Sequence, residues 1–241
     1  MAMPTWLLIH GLGATGAVWH GVATILRAHG HTVYCPDLAG HGEGIRLASY
    51  SVPALAQHVA EAVPSNESLH VLGHSLGGYV ALELASGRYG LTVATATVIG
   101  TKLHFTADER QTMTEWARRP VRSFASRTEA VARYRRVAGL ERATVDDDPH
   151  LQRGVRDTDG AWTLAADPMS YLLEAPPFSA LLAAALCRVQ AACGTNDAMV
   201  TLAALQALVP DASAFSGLGH NAHVESPERV AAFAITALSA G

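Results

Sequence analysis

Apolar and polar positions in the first hundred residues switch repeatedly between two periods. Short apolar runs at Thr5–His10, Thr32–Cys35, Leu69–Gly73 and Thr92–Ile99 have the length and the bounding turn residues of strands. Between them, Ala17–His29, Val52–Val63 and Leu76–Ser86 repeat apolar residues at helical spacing, as Val18, Val22, Ile25 and Leu26 do. Strand and helix in alternation predict βαβ units, hence a parallel sheet covered by helices on both faces. The pattern breaks at Thr101. From there to about Ala180 the chain is polar and Arg-rich, with helical stretches at Asp108–Arg118 and Thr128–Val137. An acidic turn at Asp146–Pro149 follows, then a segment rich in Asp, Gly and Pro over Asp157–Pro177. Alternation resumes with a strand at Arg188–Cys193, a helix near Leu202–Leu208 and a strand at Ala212–Ser216. The last helix is announced by Ser226-Pro227-Glu228, a capping serine followed by a proline suited to the first helical position. The expectation is one α/β domain over 1–241, with a mostly parallel sheet. Residues 101–180 form a helical insertion between its fourth and fifth strands.

Composition narrows the partners. Hydrophobic residues make up 49% of the chain, enough for a substantial core, and the formal charge of −4 is spread over scattered residues. That leaves no basic footprint for nucleic acid and no basic face for a membrane surface. The start carries no charged leader pattern, and no apolar stretch reaches the roughly 18 residues of a membrane span. Cys187 and Cys193 lie on one expected strand, about 20 Å apart at roughly 3.3 Å per residue, beyond disulfide reach. With Cys35 they read as small buried side chains, and the chain as a cytoplasmic protein.

The chemistry centres on Gly73-His74-Ser75-Leu76-Gly77-Gly78. It satisfies Gly-x-Ser-x-Gly at a strand-to-helix junction, where glycines permit a sharp turn that lifts the serine hydroxyl above the sheet. A serine hydroxyl is a weak nucleophile at neutral pH and needs a base, itself oriented by a third group. Of twelve histidines, only His220 and His223 follow the last strand, and His220 directly follows Gly217-Leu218-Gly219. The acid belongs between serine and histidine in chain order, and Asp197 in Gly194-Thr195-Asn196-Asp197 stands just after a strand.

On these motifs the chain resembles the α/β-hydrolase family over nearly its whole length. His10-Gly11-Leu12-Gly13 follows the first strand, and Pro36-Asp37-Leu38-Ala39-Gly40-His41-Gly42 follows the second. The Ser75 turn and the Asp197 and His220 loops come next in the family's order. The resemblance implies a Ser75–His220–Asp197 triad and an oxyanion hole at the backbone N–H groups of Leu12 and Leu76. It makes 101–180 a lid, and gives a compact sheet of about six strands that lacks the N-terminal antiparallel strands of longer members. It implies a serine hydrolase acting on a small-molecule ester, thioester or lactone, with neither metal nor organic cofactor. A carbon–carbon bond hydrolase, a lyase using the same triad and a ligand sensor with a vestigial site remain alternatives.

Several other features compete for function. Gly11-Leu12-Gly13-Ala14-Thr15-Gly16 fits Gly-x-Gly-x-x-Gly, with Asp37 about twenty residues on, as in a dinucleotide-binding unit. Lys102, the only lysine, is not four residues after a tyrosine, so the Tyr-x-x-x-Lys pair of short-chain dehydrogenases is missing. His220-x-x-His223 has the spacing of two metal ligands without an implied third. His41 and His74 read as hydrogen-bonding structural residues. Trp19, Trp116, Trp162 and Met169 are candidates for an acyl pocket or for core packing. The lid arginines read as a solvated face, with a carboxylate-binding arginine among them as the alternative.

Overall fold

The computed structural model describes residues 3–64, 67–144 and 148–240, so Asp146 and Asp147 of the expected acidic turn lie outside the described residues. The strands are β1 (Thr5–Ile9), β2 (Thr32–Tyr34), β3 (Ser68–His74), β4 (Thr92–Ile99), β5 (Val155–Thr158), β6 (Ala161–Leu164), β7 (Arg188–Gly194) and β8 (Ser213–Phe215). Six of them form one sheet in the order β2-β1-β3-β4-β7-β8, with every pairing parallel. β5 and β6 pair separately as an antiparallel hairpin. The helices are α1 (His20–Ala28), α2 (Val52–Glu61), α3 (Leu76–Leu84), α4 (Ala107–Arg118), α5 (Arg127–Val137), α6 (Phe178–Ala184), α7 (Leu202–Gln206), α8 (Ala222–Glu225) and α9 (Pro227–Thr236). None of the described helices is long and apolar enough to cross a membrane.

Strand periodicity sorts the core into two layers. Leu7 and Ile9 of β1 pack on one face of the sheet with Val71, Val98 and Cys193, under apolar residues of α2, α3 and α6. Trp6 and Leu8 pack on the other face with Leu72, Ile99 and Phe215, under Val22 and Leu26 of α1 and Val230 and Ala234 of α9. A strand buried on both faces shows no polar alternation, which is why β1 reads as a continuous apolar run. Truncating one such residue, Leu8 to alanine for instance, costs roughly 2–5 kcal/mol.

The insertion between β4 and β7 differs from its sequence reading in two places. Within Asp157–Pro177, read only as rich in Asp, Gly and Pro, the chain completes the β5–β6 hairpin, turning at Asp159 and Gly160, both at positive φ (53° and 83°). That is the backbone an Asp-Gly hairpin turn requires. The insertion also ends earlier than Ala180. α6 sends Phe178 and Leu181 into the main core, with Phe178 edge-on to Tyr79 of α3 at 5.7 Å. β4 and β7 are parallel neighbours, so the chain must return to the opposite end of the sheet, and α6 is that crossover. What remains of the insertion has a small core of its own, built on Phe124, Val131, Tyr134, Leu140, Leu151 and Val155.

Candidate active site

Ser75 stands between the end of β3 and the start of α3 with φ 52° and ψ −114°. A side chain held in such a conformation costs on the order of 1–3 kcal/mol, which the surroundings must over-determine. They do so through Ser75 N–H donating to the Ile99 carbonyl at 3.0 Å and Gly78 N–H donating to the Ser75 carbonyl at 3.0 Å. A Cβ on Gly77 would stand 2.1 Å from the Ile9 carbonyl oxygen, so only glycine lets α3 start this close to the end of β1. Ser75 itself stays half-buried, and its hydroxyl has no hydrogen-bond partner among the described residues. Leu76 opens α3, so its N–H has no carbonyl one turn earlier to bond. Leu12 N–H, in the loop after β1, likewise makes no hydrogen bond among the described residues.

The loops after β7 and β8 bring in the other two predicted residues. His220 Nδ1–H donates to Asp197 Oδ2 at 3.0 Å; the Asp197 side chain is wholly buried, whereas the imidazole is 23% exposed. Asp197 Oδ1 is held by the Met199 N–H at 2.8 Å, so both carboxylate oxygens are engaged. Asn196 N–H donates to the Leu218 carbonyl at 2.8 Å and ties the two loops together. The His220 ring lies beside the serine turn, 4.7 Å between ring centroids from His74.

His223 goes elsewhere. It sits in α8, a short helix absent from the sequence reading, wedged between Trp19 (4.4 Å) and His74 (4.3 Å). Burial first, and then His220 and His10 nearby, push its pKa down to about 3, so it stays neutral. Neither ring nitrogen has a partner among the described residues, and of the two neighbouring histidines only His220 meets a carboxylate. No cluster of three or more metal-ligating side chains occurs among the described residues.

The insertion reaches the loop after β1. A Cβ on Gly13, next to Leu12, would lie 3.2 Å from Val137 Cγ1 of α5 and 3.6 Å from the Tyr171 hydroxyl. Trp116 of α4 meets Tyr171 edge-on at 5.7 Å and is 44% exposed, as is Met169 at the start of the same short turn. Trp162 is not brought toward Ser75 in this way. Its backbone bridges Phe124, its ring lies under the Arg127 guanidinium at 5.4 Å, and it packs on the insertion's own core. Trp19 is fully buried in the layer beneath α1. Val137 and Tyr171 were missed in the sequence, because neither belongs to a motif and only the folded insertion carries them to Gly13.

Asp37 shows what the glycine-rich first loop is for. Its carboxylate accepts from Gly16 N–H at 2.7 Å and Glu43 N–H at 2.9 Å, and from Arg153 at 2.8 Å. Burial alone would raise this carboxyl, but those two amides, His10 and Arg153 outweigh it and hold the pKa below the ordinary carboxylate value. Engaged on both oxygens and buried, it has no free edge for a ribose hydroxyl. Arg153 also reaches Glu43 at 3.3 Å, and Arg156 donates to the Gly42 carbonyl at 2.7 Å. These two arginines therefore staple the insertion to the loop after β2 instead of forming a solvated face.

Known proteins agree with this architecture. The family model described as "Alpha/beta hydrolase family" matches residues 6–233. A pimeloyl-[acyl-carrier protein] methyl ester esterase from Aeromonas salmonicida is 46% identical over 84 residues, 34% of this chain and 32% of that protein. The chain thus matches only about a third of that relative's length. Among solved structures, a thioesterase domain from the curacin biosynthetic pathway superposes with a TM-score of 0.78 at 23% identity, over 97% of this chain and 91% of that one. E-2-(acetamidomethylene)succinate hydrolase gives 0.80 at 18% identity, over 99% and 92%. At such identities the superpositions speak for the fold. With a family match from β1 into α9 and a serine turn between β3 and α3, the chain belongs to the alpha/beta hydrolase family.

Proposed function

We propose that this protein is a serine hydrolase that cleaves a small-molecule carboxylic ester, thioester or lactone through a covalent acyl-enzyme. The observation that carries the reading is the His220–Asp197 hydrogen bond at 3.0 Å, formed by a partly exposed imidazole and a wholly buried carboxylate beside the strained Ser75 turn. Ser75 Oγ attacks the acyl carbonyl carbon while His220 Nε2 takes its proton, and Asp197 holds the imidazole's tautomer and stabilises the imidazolium. The charge that develops on the carbonyl oxygen falls to the uncommitted N–H groups of Leu12 and Leu76, the latter at the positive end of α3. Collapse expels the alcohol or thiol, which leaves with the proton from His220. Water then attacks the acyl-serine through the same histidine, the acid departs and Ser75 regains its proton.

The name of the sequence relative, a methyl ester esterase, supports ester cleavage. Trp116, Tyr171, Val137 and Met169 are the proposed wall on the acyl side. No step requires a metal or an organic cofactor. The test is a panel of p-nitrophenyl esters of rising chain length, with acyl-thioesters and lactones alongside. Turnover of at least one class by the wild type, lost in Ser75→Ala, is expected. No turnover in any class, or hydrolysis that survives Ser75→Ala, contradicts the reading.

A further inference from the structure

We propose that His74, the residue before the nucleophile, is a positioning residue that fixes where the base stands relative to Ser75. This rests on the serine-hydrolase reading and adds to it a role for a side chain that the reaction itself does not use. His74 is buried, and its Nε2 lies 3.0 Å from the His220 carbonyl oxygen, across 146 positions of chain. A carbonyl only accepts, so Nε2 carries the hydrogen and donates it. Nδ1 then keeps the lone pair of a neutral ring, and it has no partner among the described residues.

The rest of the packing is arranged around that bond. Gly100, just past β4, has φ +58°, and a Cβ there would stand 3.0 Å from the His220 carbonyl oxygen and 3.3 Å from His74 Nε2. A side chain at this position would wedge the donor from its acceptor. On another side, a Cβ on Gly11 would lie 3.0 Å from His74 Nδ1 and 3.2 Å from Ser75 Cβ, so the loop carrying Leu12 packs on the same ring. His223 is 4.3 Å away by ring centroids. One imidazole thus touches the serine turn, the loop of the proposed oxyanion donors and the loop of the base. Burial, then the neighbouring His223 and His220, keeps its pKa well below the ordinary histidine value. It remains a neutral donor throughout the range in which a histidine base works, and the tie does not titrate away with the catalysis it serves.

Misplacing a catalytic group by about 1 Å costs roughly 10²-fold in rate. His74→Leu keeps the bulk and removes the donor. It is expected to lower kcat by roughly 10- to 100-fold with KM little changed, and to slow labelling of Ser75 by a fluorophosphonate in parallel. The decisive pair is His74→Gln and His74→Asn. Glutamine places an amide N–H near the Nε2 position and is expected to restore most of kcat; asparagine is too short to reach the carbonyl and is expected to behave like leucine. Should the leucine variant fail to fold, the amide pair still decides. Equal activity in Gln and Asn variants, or a wild-type labelling rate in the Asn or Leu variant, overturns the positioning role. A wild-type protein that neither labels at Ser75 nor turns over any ester overturns the hydrolase reading itself, and the two failures are distinguishable.

Discussion

All nine residues of α3 are buried, whereas α4, twelve residues long, buries only Ala117. The first helix carries the serine turn and is clamped between the sheet and the α2 and α6 helices; the second belongs to the insertion and shows most of its surface to water. Their attachments differ in kind as well. The sheet is held by apolar side chains on both faces. The insertion has its small core and a set of polar fastenings to the domain below. Tyr50 donates to Asp167 at 2.8 Å, Arg153 to Asp37 at 2.8 Å, and Asn221 to the Gly139 carbonyl at 2.9 Å. On the proposed reading, the reacting groups, which tolerate little displacement, sit on the rigid part, and the proposed acyl-side wall sits on a part free to vary. Asn221 is one residue from His220, so the second region touches the first beside the proposed base.

The largest effect is expected on the rigid side. Asp197→Asn should leave substrate binding intact and lower kcat by roughly 10³- to 10⁴-fold, the scale set by other triads. His220→Ala should be as damaging, and His223→Ala far less so, since it meets no carboxylate. Steady-state kinetics on the best ester of the panel checks this. An active Asp197→Asn would move the acid elsewhere, to Asp108 in the insertion for example, and would erase the division between the two regions.

Acid should loosen the rigid side next. His41 and His223 are pushed down to about 3, in each case by burial first. The unfolded chain takes up these protons near pH 6.5, and the folded one only near 3. Their contribution is therefore complete above about 6.5 and is lost as the pH falls from there toward 3, by about 1.4 kcal/mol per pH unit for each histidine. Urea midpoints measured between pH 7 and 5 should fall steadily, and replacing His223 by an apolar residue of similar size should flatten the slope. A midpoint independent of pH would mean that these rings are not neutral and buried.

The smallest effect belongs to the fastening. Arg153 is 44% exposed, so water screens its ion pair, and Arg153→Ala should cost about 1–2 kcal/mol, a Tm drop of a few degrees. Together with Tyr171→Ala and Trp116→Ala it should change the ranking of ester chain lengths more than the rate on the best substrate. Uniform losses across all substrates, matched by melting temperature, would return these residues to plain packing.

The same division explains what the sequence disclosed. Strands buried on both faces, and helices with one apolar face, write their periods into the chain, so the sheet, α1 to α3 and α9 were legible to within a few residues. Ser75, Asp197 and His220 were legible because each sits in a turn after a strand, with glycine spacing or chain order to single it out. The insertion wrote less. β5 and β6 alternate weakly because both are part-exposed, and the Asp159-Gly160 signal stood without apolar strands to frame it. α6 was absorbed into the insertion because only the demand for a crossover separates it. Tyr171 and Val137 reach the site by tertiary folding alone, and the tie from His74 to His220 is a contact between a side chain and a backbone carbonyl that no spacing encodes.

The central claim is that Ser75 is the one activated serine. Intact-mass and peptide-level mass spectrometry after treatment with a fluorophosphonate tests it directly. The account predicts a single adduct, on Ser75, that forms in step with loss of ester turnover and is absent in Ser75→Ala and strongly slowed in His220→Ala. An adduct on any other serine, or no adduct while turnover persists, would contradict it.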